Sequence, residues 1–143
     1  MSTIIIQKIS KIMIPFIQLF GLYIIVHGPV SPGGGFQGGV IIGTSIILMV
    51  LIYGLPETQK AITHKLLNLM DSGGGMVYII VGILGILAGG KFLEYLIIPA
   101  PFSLSPTDVS LAMVIIIGIA IGVHMVALVA SLFFHMAERK HND

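Results

Sequence analysis

Apolar residues in this chain fall in long unbroken runs, with neither the two-residue alternation of a half-buried strand nor the single stripe of a surface helix. Four runs approach or exceed the ~20 residues an α-helix needs to cross a bilayer. They cover residues 9–26, 36–55, 76–98 and 107–136. The first holds Pro15 near its start and Gln18 as its one internal polar residue. The fourth opens on Ser105-Pro106-Thr107-Asp108. That order places an N-cap hydroxyl, a proline at the first helical position and a carboxylate on the first turn. Pro99 and Pro101 end the run before it, since proline cannot continue a helix hydrogen-bond ladder. The pattern predicts an all-α integral membrane fold of about four transmembrane helices, forming a single membrane domain over residues 1–143.

Between the second and third runs the chain changes character. Residues 57–70 carry Ile62, Leu66, Leu69 and Met70 on one side and Lys60, His64 and Lys65 among the polar positions. This reads as an amphipathic helix lying flat at the membrane surface, or else as a solvated loop. Gly73-Gly74-Gly75 is expected to break the chain before the third span. Lys8 and Lys11 precede the first apolar run, but no small-residue cleavage site follows it, so the run reads as a retained helix and not as a cleaved signal.

Composition sharpens the picture. Of 143 residues, 56% are hydrophobic and 9% charged, where a soluble domain carries about a quarter charged residues. A chain this short exposes much of its surface, so that surface must meet lipid or protein. The net charge of +1 gives no electrostatic footprint for nucleic acid. The absence of cysteine excludes a disulfide framework, a thiolate metal site and a cysteine nucleophile. Tryptophan is absent too, leaving Tyr23, Tyr53, Tyr78 and Tyr95 for an aromatic belt. In a four-helix layout Lys8, Lys11, Lys60, Lys65, Arg139 and Lys140 fall on one side and Lys91 on the other. The positive-inside rule then predicts both termini in the cytoplasm.

The most unusual stretch joins the first two spans: His27-Gly28-Pro29-Val30-Ser31-Pro32-Gly33-Gly34-Gly35-Phe36-Gln37-Gly38-Gly39. It holds no formally charged residue and too much Gly and Pro for a helix to pass through. Irregular backbone at membrane depth survives only where protein or a watery cavity satisfies it. The hinge therefore either tucks inward against partner subunits or turns at the water boundary. Residues Ser31 to Gly39, after His27-Gly28, closely resemble the signature of the MnhB/MrpB family, the B-type components of multisubunit Mrp-type Na+/H+ antiporters. Homologous subunits of that family occur in membrane-bound hydrogenases and related sulfur-reducing complexes. The resemblance extends over most of the chain, with its specificity in about ten residues around Pro32, Gly33, Gly34, Gly35, Phe36 and Gln37. It implies a cell-membrane subunit with other Mrp-type membrane subunits as partners, possible hydrogenase or sulfur-reductase neighbours, and a part in Na+/H+ exchange. In one region the chain departs from the family: Leu111 to Val123 has no acidic residue and leads instead to His124.

Ionisable groups within a membrane span are functional candidates by default, because burying one costs several kcal/mol or more unless it is paired or hydrated. His124, near the centre of the fourth run, reads as a proton carrier or as a neutral ring bonded to a neighbouring helix. Lys91 and Glu94, three apart, are expected to share a face of the third helix, either as a pair at the mouth of a half-channel or as snorkelling anchors. His27 ends the first helix and could polarise a water path or cap freed carbonyls. Gly39/Gly43, Gly82/Gly85 and Gly118/Gly122 form small-residue strips that favour close helix packing. No redox ligand set, nucleotide loop or nucleophile-base constellation is present. The expectation is a subunit with no cofactor that is not an enzyme on its own.

Overall fold

A computed structural model describes residues 2–30, 33–94 and 106–142, and these form five helices. They are α1 (Ser2–Val26), α2 (Gly34–Tyr53), α3 (Leu55–Ala61), α4 (His64–Leu87) and α5 (Pro106–Asn142). Four of the helices are long and apolar enough to span a bilayer: Ile4–Val26, Gly34–Tyr53, His64–Leu87 and Thr107–Arg139. The all-α, four-span architecture expected from the apolar runs is therefore present. α5 begins at Pro106 with Asp108 in its first turn. Ser105, Pro99, Pro101 and Tyr95 lie outside the described residues, as do Ser31 and Pro32 of the hinge.

α5 is the centre of the bundle. On one side Gly35 of α2 sits against the Gly118 backbone, Gly39 against Gly122 and Gly43 against Val129. Positions on the two helices advance together, so α2 and α5 are parallel. α1 covers the other flank of α2 in the opposite direction, with Gly21 and Ile25 against Gly38. Gln7 reaches the Ile52 carbonyl at 3.4 Å. On the far side of α5, α4 runs antiparallel. Its Gly74 faces Ala120 and His124, and its Leu67 joins Phe134, Ala127, Ala130, Val126, Ile46 and Val50 in the main apolar core. Among the described residues the glycine strips on α2 and α5 are thus used within the chain, where small side chains allow close backbone approach.

Two expectations about the middle of the chain are corrected. The third span covers residues 64–87, not 76–98. Residues 57–70 are not one surface helix but a short α3, a break at Ile62-Thr63 and the first turns of α4. α3 has Glu57 in its first turn and Lys60 in its last, each placed to favour the helix dipole. The Thr58 hydroxyl, almost fully buried, donates to the Gly54 carbonyl at 3.0 Å. Gly73-Gly74-Gly75 does not break the chain. It lies inside α4, because the approach of Gly74 to α5 supplies contacts that offset the roughly 1 kcal/mol helical cost of a glycine. An added Cβ would meet the Ala120 carbonyl at 2.6 Å at position 74, and nothing within 4 Å at positions 73 or 75. We therefore expect Gly73→Ala and Gly75→Ala each to stabilise the bundle by about 0.5–1 kcal/mol and Gly74→Ala to destabilise it. Denaturation in mixed micelles, compared across the three variants, measures the ordering.

The end of α4 is set by Gly89-Gly90. Gly89 has φ 91, its N–H donates to the Ile86 carbonyl at 3.0 Å, and the Gly90 N–H donates to the Gly85 carbonyl at 3.1 Å. These are the two bonds of a Schellman cap. The chain then folds back so that the Phe92 ring covers Gly82 and the Lys91 and Glu94 backbones lie over Gly85. Phe92 also meets Tyr78 edge-on at 6.0 Å. The third glycine strip thus receives a returning loop, not another helix.

The hinge between α1 and α2 closes tightly. The Val30 N–H donates to the His27 carbonyl at 3.0 Å, and Gly28 lies against the Gly34 backbone. Gly33 and Gly34 have φ 126 and φ 57, both in a region that side-chain-bearing residues rarely occupy. The hinge lies level with Gly118, about 12 residues or ~18 Å along α5 from Pro106. The bundle is therefore stepped: the last turns of α4 and the first turns of α5 continue past the α1–α2 hairpin. Those turns are still apolar, through Leu111 to Ile117 on α5 and Val77 to Leu87 on α4. Large apolar side chains also cover the outside, with Phe16, Leu19 and Leu51 each more than 60% exposed, a surface suited to lipid or to other subunits.

Candidate functional site

The α4–α5 seam carries the polar chemistry of the bundle. His124 projects from the α4-facing side of α5. Opposite it stands Asp71, a residue that the apolar pattern alone assigns to the segment before the third span. The Nδ1 of His124 lies 2.8 Å from Asp71 Oδ1 and 3.0 Å from the Asp71 carbonyl oxygen. Both oxygens are acceptors, so Nδ1 carries the hydrogen and donates to them, which leaves Nε2 as the ring nitrogen not engaged by Asp71. Among the described residues Nε2 has no protein partner. Gly74 makes the geometry possible: with no side chain at that position, the α4 backbone comes close enough to the His124 Cβ for the Asp71 carbonyl to reach the ring.

The pair is deep without being enclosed. The His124 side chain is 32% exposed and that of Asp71 49%, on a bundle face that lipid or a neighbouring protein must cover. Asp71 lies about two turns, or ~10 Å, inside α4 from His64. Beside the pair an open groove of about 460 Å³ runs between α4 and α5, lined only by apolar residues and glycine, among them Met70, Gly73, Ala120 and Val123.

A second polar group closes the other end of the same seam. Glu138 Oε1 accepts from Gln59 Nε2 at 2.7 Å and lies 3.0 Å from His64 Nε2. The His64 ring meets Phe134 edge-on at 5.7 Å and His135 at 6.0 Å. Between the two polar groups stand Leu67, Ala127, Ala130 and Phe134, all with no exposure. They form a dry plug across the seam within this chain.

The remaining candidates do not converge on His124. Lys91 and Glu94 lie beyond the end of α4, so the shared helix face expected for them is absent. The Lys91 backbone N–H donates to the Glu94 carboxylate at 2.7 Å, and no side-chain ion pair joins them among the described residues. The physical reason is the Gly89-Gly90 cap, which ends α4 before Lys91 and Glu94. His27 follows α1 on its exposed side, its ring tilted against that of Tyr23 at 4.1 Å between centroids, in a shallow apolar depression with Phe20 and Val26. Of the described hinge residues, Gly33, Gly34 and Gly35 shape the turn, Gln37 folds its side chain over Gly33, and Phe36 is 57% exposed. Asp71 and Glu138 are not marked as partners by the apolar pattern. For Asp71 the signal within its own helix is spacing: on a continuous α4, His64 and Asp71 fall about two turns apart on one face, and Gly74 lies one turn further on.

A stepped bundle of four long apolar helices, with the Asp71–His124 pair set between two of them, defines a multi-pass membrane protein. Residues 5–131 match the family described as "Domain related to MnhB subunit of Na+/H+ antiporter", and the chain belongs to that family. It is 29% identical over 114 residues to an uncharacterized protein of Methanocaldococcus jannaschii, covering 75% of this chain and 42% of that one. It is 29% identical to the B-type subunit of the Na+/H+ antiporter of Bacillus subtilis, covering 66% of this chain and 65% of the relative. It is 32% identical to a putative antiporter subunit mnhB2 of Staphylococcus epidermidis, over 50% of this chain and 51% of the relative. The matched stretch is therefore less than two thirds of each relative's length.

Proposed function

We propose that this chain is a B-type membrane subunit of an Mrp-like cation/proton antiport module, supporting Na+/H+ exchange inside a larger complex. The observation that carries this reading is the MnhB-family match over residues 5–131. The physical layout supports a subunit role. The four spans bury only a minority of their residues within the chain, leaving extensive apolar surface for lipid and for other membrane subunits. The Lys/Arg distribution orients the chain with both termini in the cytoplasm, because Lys8, Lys60, Lys65 and Arg139 gather at the end where α1 begins and α5 finishes. The host is a stand-alone antiporter or a membrane-bound hydrogenase-type oxidoreductase, and the catalytic chemistry of the latter would reside in other subunits.

A specific observation also favours a bracing role for most of the chain. The dry plug of Leu67, Ala127, Ala130 and Phe134 interrupts the seam between its two polar groups, so a complete ion path does not run through this chain alone. The purified chain in liposomes is accordingly expected to pass neither Na+ nor protons. The affinity-tagged chain extracted from its native membrane should bring other antiporter membrane subunits with it, and the reconstituted assembly should exchange Na+ for H+. Isolation of the chain as an autonomous conducting unit would overturn the reading.

A further inference from the structure

We infer that Asp71 and His124 act as one proton-carrying unit, the point at which this subunit enters the proton path of its complex. The inference rests on the reading of the chain as a B-type antiporter component and deepens it. Three features of the geometry lead to it. First, Nδ1–H is held by both the carboxylate and the carbonyl of Asp71, at 2.8 and 3.0 Å. The ring's tautomer and direction are thereby fixed, with Nε2 as the site that gains and loses a proton. Second, Asp71 is the ionisable side chain paired with His124 among the described residues. When a proton arrives at Nε2 from a water, the imidazolium is balanced by the Asp71 carboxylate, and the pair passes from a net charge of −1 to zero. Its release from Nε2 to the next water restores the starting state. Third, the plug beyond Leu67 and Phe134 blocks the route along the seam toward His64 and Glu138. Exchange at Nε2 must therefore occur through the partly exposed face of the pair, where another subunit would supply the continuing path.

The same geometry disfavours a sodium site. A hard cation takes several oxygen ligands, whereas Asp71 Oδ1 and the Asp71 carbonyl oxygen both accept from the ring N–H here, which leaves Oδ2 as the one Asp71 oxygen not engaged by the ring. Among the described residues no group of three or more His, Cys, Asp or Glu side chains gathers for a metal ion. The cargo of this site is the proton.

Asp71→Asn is the informative variant, because the amide oxygen still accepts from Nδ1–H and preserves the helix contact while the balancing charge is lost. In the complete complex in proteoliposomes, Asp71→Asn and His124→Gln should each lower Na+-driven proton movement at least tenfold. The double variant should be no worse than the weaker single variant, as expected for two residues acting as a unit. Wild-type exchange by an intact complex carrying Asp71→Asn or His124→Gln would overturn the proton unit and leave the antiporter-component reading standing. Failure of the unsubstituted chain to co-purify with antiporter subunits would overturn that reading instead. Should the variants not assemble, histidine ring ¹⁵N spectra of the unsubstituted full chain in lipid nanodiscs decide the matter. Because His135 also has a bonded Nδ1, at 2.7 Å from the Ser131 carbonyl, the ring must be assigned to His124 by its loss in His124→Gln. That ring should keep a hydrogen-bonded Nδ1–H while its Nε2 changes protonation with pH, and a His124 ring without this behaviour refutes the proposal.

Discussion

Gly35→Val is expected to push α2 off α5 and destabilise the bundle by about 3 kcal/mol, at the upper end of overpacking penalties. The added Cβ would fall on the Gly118 carbonyl. That contact is backbone on both sides, so no rotamer change relieves it, and Gly118 has no side chain left to shorten. Gly35→Ala should carry most of the same cost, since the first carbon makes the clash. The damage should spread along the seam, because Gly39 against Gly122 and Gly43 against Val129 rely on the same helix separation. The chain contains no cysteine, so a pair introduced on facing positions of α2 and α5 gives a clean measure of it. Disulfide yield should be high in the parent and fall several-fold with Gly35→Val. An unchanged yield would mean that the helices do not meet where the structure puts them.

Phe134→Ala should produce the second large loss, by cavity formation. Phe134 has no exposure and packs against Leu67, Ala127 and Ala130, with the His64 ring edge-on at 5.7 Å. In a soluble core this truncation costs about 3–5 kcal/mol. In a bilayer the transfer part shrinks, since lipid tails are as apolar as the protein interior. The lost contacts and residual void remain, and we expect ~2 kcal/mol, read as a lower denaturant midpoint in mixed micelles. Met136→Ala, two residues away but 70% exposed, should stay within about 0.5 kcal/mol of the parent. The contrast separates burial from position along α5. If Phe134 helps to seal the seam, its truncation should also admit water between His64 and Asp71, raising hydrogen exchange at the neighbouring α4 amides.

The parts of this structure that are legible in the sequence depend on one short-range physical rule. A chain of long apolar runs with few charges must satisfy its backbone within helices and place its side chains in lipid or protein. That fixes the four spans and their alternating direction. The start of α5 at Pro106 follows from local chemistry too. Sequence and structure part where the same local signal has two outcomes. A glycine triplet can end a helix or lie within it, and Gly73-Gly74-Gly75 lies within α4 because Gly74 has α5 to pack against. Gly89-Gly90 could have been one more pair of membrane-helix glycines, yet it forms a Schellman cap and sends Lys91 and Glu94 off the helix.

The sequence by itself determined the class of the protein, the number of its spans, the glycine-rich turn that marks its family, and His124 as an ionisable group within a span. Only the tertiary structure decided that His124 has a partner. Asp71 and His124 are 53 residues apart, and no spacing rule joins residues on different helices. Their meeting depends on how closely α4 and α5 approach, which is set by a missing side chain at Gly74. The placement of the apolar plug beside the pair is a property of packing among several helices at once.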